Sequence, residues 1–243
     1  MHVRSIPALV ITLSLTAAQP TLTAQQPGAP KGIESEQSLP DRYPYVVEDI
    51  LKYCKPEKGF WIDLGSGKGQ LSISLIEATG NPVVMIDPDI KAMSEGLRIA
   101  KEKGLGDRLF AVIGTAEKMP FPDNSVDLVV SRGSIFFWSD QAQGLREIYR
   151  ILRPGGSAMI GGGAGSGYPK EAVGALIRGR KEKLKGEDAD RWARFVELRR
   201  PEKMRNWATQ AKIPDFKVAG KGALSADDPQ VGQGVWLWFT KQQ

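Results

Sequence analysis

The stretch Asp63-Leu64-Gly65-Ser66-Gly67-Lys68-Gly69 constrains this chain more than any other. It follows the apolar run Phe60 to Leu64, which reads as a strand. It precedes Leu71 to Thr79, which reads as a helix stopped by Gly80. Glycines at such a junction let the backbone turn tightly and let a ligand come close. The first turn of the helix also offers free N–H groups to a negative group. Several nucleotide-binding folds use a turn of this kind, and spacing separates them. A dinucleotide fingerprint needs Gly or Ala at position 70, where this chain has Gln70. A phosphate-binding P-loop needs Ser or Thr after Gly67-Lys68, where Gly69 stands. What remains is D-x-G-x-G-x-G, with a carboxylate two residues before the first glycine.

The alternation that begins there continues. Val83 to Ile86, Leu109 to Ile113, Asp127 to Ser131 and Ser157 to Gly161 read as further buried strands. Ile90, Met93, Leu97 and Ala100 mark one face of a helix closed by Gly104. Leu145, Ile148, Tyr149 and Leu152 mark another behind the N-cap candidate Asp140, with Pro154-Gly155-Gly156 as its end. Strands joined by crossover helices predict an α/β, doubly wound, mostly parallel sheet with helices on both faces. Val47, Ile50, Leu51 and Cys54 place one more helix before it, with Cys54 as a small core residue.

The D-x-G-x-G-x-G turn resembles motif I of the class I S-adenosylmethionine (SAM) dependent methyltransferases, and the similarity extends downstream. Asp87 ends Val83-Val84-Met85-Ile86-Asp87, 22 positions after Gly65, in the place of the acid that binds a ribose diol. Gly114-Thr115-Ala116-Glu117-Lys118-Met119-Pro120-Phe121 resembles the stretch beside the adenine. The family commonly has Asp where this chain has Thr115, so backbone contact from Ala116 is the expectation there. Asn124 to Ser131 matches the fourth-strand motif, and Glu147 to Gly156 the closing helix and turn. The resemblance implies a Rossmann-like, seven-stranded, mostly parallel sheet within a domain spanning 43–243. It implies a C-terminal antiparallel hairpin (Phe216 to Leu224, Val235 to Thr240) and a helical cap insert at about 168–200. It implies SAM as cofactor, held by Asp63, Gly65, Ser66, Gly67, Gly69, Asp87, Thr115, Ala116, Glu117 and Ser131, and methyl transfer to a small-molecule acceptor.

The acceptor side lies after the fourth strand, in Ser131-Arg132-Gly133-Ser134-Ile135-Phe136-Phe137-Trp138. Arg132, Phe137 and Trp138 are the candidates there: an aromatic face suits a cationic sulfonium, and a guanidinium suits an anionic acceptor. Many small-molecule members carry a His nearby. Here the single His is His2, so the folded body has no His base and no His metal cluster, and no metal site is expected. Phe136 is read as core. Gly161 to Gly167 is open between a mobile wall and a plain loop. Trp192 and Phe195 are expected to anchor the cap.

Two features lie outside that frame. Met1 to Arg4 is positive, Ile6 to Ala18 carries no charge, and Ala18 and Ala24 offer cleavage sites. This is the layout of a signal peptide (1–24), followed by a Gln/Pro/Ser/Gly linker (25–42), and it predicts export. Between Lys170 and Arg205 stand twelve Lys or Arg against seven Asp or Glu, matching the whole chain's net charge of +5. A basic cap allows an acidic substrate or peripheral contact with an anionic membrane. Two rival functions stay open: an exported binding protein on this fold without catalysis, and a nucleic-acid methyltransferase. The second is disfavoured because neither an Asn/Asp-Pro-Pro-aromatic tetrad nor a Pro-Cys nucleophile is present. The acceptor's identity and the oligomeric state are not encoded in any motif.

Overall fold

A computed structural model describes residues 39–184, 189–220 and 234–242. The expected signal peptide and most of the linker lie outside the described residues. So do the end of the strand expected at Phe216 to Leu224 and the side chain of Trp192. The elements run α1 (Tyr43–Cys54), β1 (Trp61–Leu64), α2 (Gln70–Thr79), β2 (Val83–Asp87), α3 (Ile90–Glu102), β3 (Leu109–Ile113) and β4 (Val126–Arg132). A 3-10 turn (Ile135–Phe137) leads to α4 (Gln141–Ile151) and β5 (Leu152–Gly162). The helices α5 (Lys170–Leu184), α6 (Ala189–Leu198) and α7 (Pro201–Gln210) follow, then β6 (Lys217–Ala219) and β7 (Val235–Thr240).

Seven strands form one sheet in the order β3-β2-β1-β4-β5-β7-β6. The first five are mutually parallel, and β7 runs antiparallel to both β5 and β6. Strand side chains alternate between two cores, as a period of two requires. Ile62, Val84, Ile86, Val129 and Ile160 face the core shared with α4 and α7. Trp61, Val83, Met85, Leu128 and Met159 face the core under α1, α2 and α3. The apolar runs are continuous because both faces are covered. Two helices start on side-chain caps: Asp89 accepts from Ala92 N at 3.0 Å and Asp140 from Gln143 N at 2.9 Å. Each such cap contributes about 1 kcal/mol.

The structure corrects two element boundaries. Pro154-Gly155-Gly156 does not close α4 in a free turn. It lies within β5, where the register with β4 slips between Val126/Leu152 and Leu128/Ser157. The irregular stretch is held by a reciprocal backbone pair with the end of the sheet, Gly155 N to Lys241 O and Lys241 N to Gly156 O, both 2.8 Å. β6 covers only Lys217–Ala219 rather than starting at Phe216, and Phe216 packs against the core beside it.

Trp236 and Trp238, alternate residues of β7, share a face and pack with α1 residues, Trp238 lying 5.0 Å from the Tyr53 ring. Cys54 is buried on α1, and burial pushes its thiol up to about 12. The cap is fixed to the body by an apolar cluster of Ala164, Tyr168, Ala172 and Val173, against which Tyr45 of α1 and Phe195 pack, and by Arg199. The Arg199 guanidinium sits 3.6 Å from the centre of the Phe195 ring and 4.0 Å from that of Phe136. Among the described residues, no helix is long and apolar enough to cross a membrane.

Candidate cofactor and acceptor site

The strand order reverses between β1 and β4, and a crevice opens beyond their carboxyl ends, where ligands bind in sheets of this kind. A cavity of about 580 Å³ occupies that place, within the range of small-molecule sites. One side is Leu64, Gly65, Asp87, Pro88, Gly114, Thr115, Ala116 and Glu117; the other is Arg132, Gly133, Ser134, Phe137, Trp138 and Ser139. Asp63, Ser66, Gly67, Gly69 and Ser131 support it from behind and do not line it.

The glycine turn is built by the backbone. Gly65 N and Ser66 N donate to Ile86 O at 2.7 and 3.3 Å, so the turn is registered on the end of β2. Gly67 N donates to Asp87 Oδ2 at 2.8 Å, while Asp87 Oδ1 accepts from Asp89 N at 2.8 Å. Each Asp87 oxygen can accept a further hydrogen bond, and the residue lines the cavity. Capping α3 falls to Asp89, which leaves Asp87 to the turn and the cavity. Gly65 has φ +67, and a Cβ there would overlap Ser134. The Ser66 hydroxyl is buried with no hydrogen-bond partner. A buried orphan hydroxyl in the turn, an acid with spare acceptor directions and an open crevice fit a bound nucleoside group.

Asp63 does a different job. Its side chain is 1% exposed and accepts from Ser72 Oγ at 2.7 Å, tying β1 to α2. Burial outweighs that bond and pushes the carboxyl up to about 6 from its usual 3.8. A carboxyl raised in this way contributes stability that is complete below its unfolded pKa. That contribution is lost as pH rises through the folded one. Ionising Asp63 in place costs about 3 kcal/mol on this basis. Asp63→Asn carries no such cost. Its melting temperature relative to the wild type is therefore expected to climb between about pH 4 and 6.5 and then level off. A pH-independent difference in thermal melts followed by circular dichroism contradicts the assignment.

Glu117 lines the cavity, but its Oε1 is used inward. It accepts from Ser139 N at 2.7 Å, Ser139 Oγ at 2.8 Å and Asp140 N at 3.2 Å. Burial works to raise this carboxyl, but those bonds hold it below the usual range. Thr115 is exposed and pairs with Lys118 in an isolated bridge, whereas Ala116 is buried. The stretch 114–121 is locked from below by Arg150. This arginine reaches Glu147 at 2.8 Å, Asp123 at 2.6 Å and the carbonyls of Phe121 and Met119. That contact explains the Glu147 to Arg150 part of the closing motif.

On the acceptor side, Arg132 donates from Nε to Gly163 O at 2.8 Å, and its guanidinium lies 4.9 Å from the Tyr43 ring centre. Phe136 is buried, as read from sequence, while its neighbour Phe137 is 82% exposed at the cavity mouth. Trp138 donates from its indole N–H to Ser134 Oγ at 3.0 Å. The Gly161 to Gly167 stretch is pinned: Asp49, buried on α1, accepts from Ser166 N at 2.7 Å and from Ser166 Oγ. Tyr168 packs edge-on against Tyr45 just beyond it. Sequence reasoning missed Asp49, Ser134 and Ser139. Ser134 carried a signal, standing at the switch point three residues past Ser131. Among the described residues no group of His, Cys, Asp and Glu is arranged to hold a metal ion.

The methyltransferase-domain family matches residues 62–160. The chain is 42% identical over 95 residues to an uncharacterised methyltransferase of Mycobacterium tuberculosis, covering 39% of this chain and 36% of that one. It is 34% identical over 101 residues to a ubiquinone/menaquinone biosynthesis C-methyltransferase of Hahella chejuensis, covering 41% of each. The match thus spans about two fifths or less of the length of these curated relatives. A crystal structure of a candidate S-adenosyl-L-methionine-dependent methyltransferase from Methanococcus maripaludis is similar over most of both chains. It is 30% identical, with a TM-score of 0.69, over 83% of this chain and 86% of that one. The chain belongs to the SAM-dependent methyltransferase family. In this methyltransferase fold the β5-β7-β6 edge is the mostly parallel sheet's antiparallel closure.

Proposed function

We propose that the chain transfers a methyl group from SAM to a small-molecule acceptor. The observation that carries this reading is the cavity between the Gly65 turn and Asp87 on one side and Trp138 and Phe137 on the other. When bound, SAM supplies a methyl group already activated by its sulfonium. The chain's own task is then to hold and align. Asp87 accepts from the ribose hydroxyls while keeping Gly67 N–H. Pro88 and Ala116 flank the base. Leu64, Ala116 and Trp138 exclude water from the transfer region, which strengthens every polar contact inside it. Phe137 and Trp138 support an acceptor with a flat apolar part, in keeping with the quinone-biosynthesis relative. An acceptor that arrives deprotonated needs no protein base, and a protonated hydroquinone or catechol releases one proton to solvent as the methyl is added.

Calorimetric titration of SAM and S-adenosylhomocysteine (SAH) into the full chain tests the reading. A dissociation constant on the order of 10 μM is expected, followed by transfer of labelled methyl from SAM to members of a hydroquinone and catechol panel. A folded chain that binds neither ligand overturns it.

A further inference from the structure

Ser134 stands at the meeting point of three elements. Its Oγ lies 3.0 Å from Leu64 O at the end of β1, 2.5 Å from Ser131 Oγ near the end of β4, and 3.0 Å from the Trp138 indole nitrogen. A hydroxyl has one proton and two lone pairs. The Leu64 carbonyl can only accept, so the Ser134 proton goes there. The indole N–H can only donate, so it takes one lone pair. Ser131 must therefore donate to the other, which fixes the proton order as Ser131 to Ser134 to Leu64. Ser134 is then fully used.

The indole is fixed from other sides as well. A Cβ on Gly144 of α4 would stand 2.6 Å from Cε3 and 2.8 Å from Cζ3 of Trp138, so the ring lies directly on the helix backbone. Gln141 Nε2 donates to Trp138 O at 3.0 Å. Ser134 also fills the space above Gly65, where no side chain fits.

We propose that Ser134 is a positioning residue. Through the indole N–H it holds Trp138 as a rigid wall where the cofactor and acceptor parts of the cavity meet. Through Leu64 it ties that wall to the glycine turn. The proposal rests on the methyltransferase reading. A wall held in one rotamer before ligands arrive costs no ordering on binding, so releasing it weakens cofactor affinity with little change in fold.

SAH titration into the full-length wild type, Ser134→Ala, Trp138→Phe and the double variant tests this. Each single substitution is expected to weaken SAH binding by about tenfold. The double variant is expected to be no weaker than the worse single one, because both remove the same contact. Additive losses mean that Ser134 acts structurally rather than through Trp138, and they overturn the proposal; so does unchanged affinity in Ser134→Ala. A spectroscopic arm reads the contact itself. The Trp138 indole N–H resonance, identified as the one missing from Trp138→Phe, should exchange slowly in the wild type. It should shift and exchange faster in Ser134→Ala, and an unmoved resonance also overturns the proposal. If Ser134→Ala does not fold, Trp138→Phe decides alone, and affinity within about twofold of the wild type is the contrary result. A wild type that binds no SAH sinks the methyltransferase reading, and this proposal with it. Wild-type binding with unaffected variants sinks this proposal alone.

Discussion

Gly65→Ala is expected to remove cofactor binding, while Gly67→Ala, two residues on, only weakens it. Both glycines have positive φ, +67 and +53. Alanine in that region costs about 1–2 kcal/mol at either position. The difference lies in what surrounds them. A Cβ at Gly67 meets nothing within 4 Å, whereas at Gly65 it overlaps the Cβ and Oγ of Ser134. Ser134 has no room to retreat, being held by Leu64, Ser131 and Trp138 at once. The turn must move instead, and overpacking of this kind adds roughly 1–3 kcal/mol. Together these terms correspond to a loss of about 100-fold or more in SAH affinity for Gly65→Ala. For Gly67→Ala the expected loss is about tenfold. Titration of both variants, with urea melts alongside, checks the ordering. Equal losses would mean that strain in the turn, not the contact with Ser134, governs the site.

Asp87→Ala is expected to have an effect of similar size by another route. The carboxylate holds Gly67 N–H and Asp89 N–H, one on each oxygen, and faces the cavity as well. Removing it deletes the ribose acceptor and frees the turn. Hydrogen bonds to charged groups contribute about 1.5–3 kcal/mol each, so SAH affinity should fall by about 100-fold or more. Asp87→Asn keeps one acceptor oxygen and should lose about tenfold. The fold should survive in both, because α3 is capped by Asp89 and the β2 core residues before Asp87 are untouched. Near-wild-type affinity in a folded Asp87→Ala chain would remove Asp87 from the site.

The sheet was legible because its signals are local. β3 and α2 could be bounded to within a residue from apolar runs and a stopping glycine, since both depend on neighbours a few positions away. The glycine turn and the acid 22 positions after it were legible for the same reason. What could not be read depends on distant partners. Glu117 reads as a cavity residue and does line the cavity, but nothing near it in the chain announces that its Oε1 turns to Ser139 and Asp140. Nothing near Pro154-Gly155-Gly156 announces that Lys241 will hold it in the sheet. Asp49 lies on the buried side of an amphipathic helix, where periodicity favours an apolar residue. Only Ser166, 117 positions away, makes sense of it.

That last contact also orders events during synthesis. Helix α1 leaves the ribosome first and can settle on α2 soon after, since their apolar faces meet in one core. Its Asp49 then lacks its hydrogen-bond partner until β5 and the residues beyond it have emerged. A nascent chain halted between Asp87 and Ser166 carries the glycine turn and Asp87 complete. It still lacks Ser166, so the tie between α1 and the segment after β5 forms late, well after most of the sheet's parallel strands have been made.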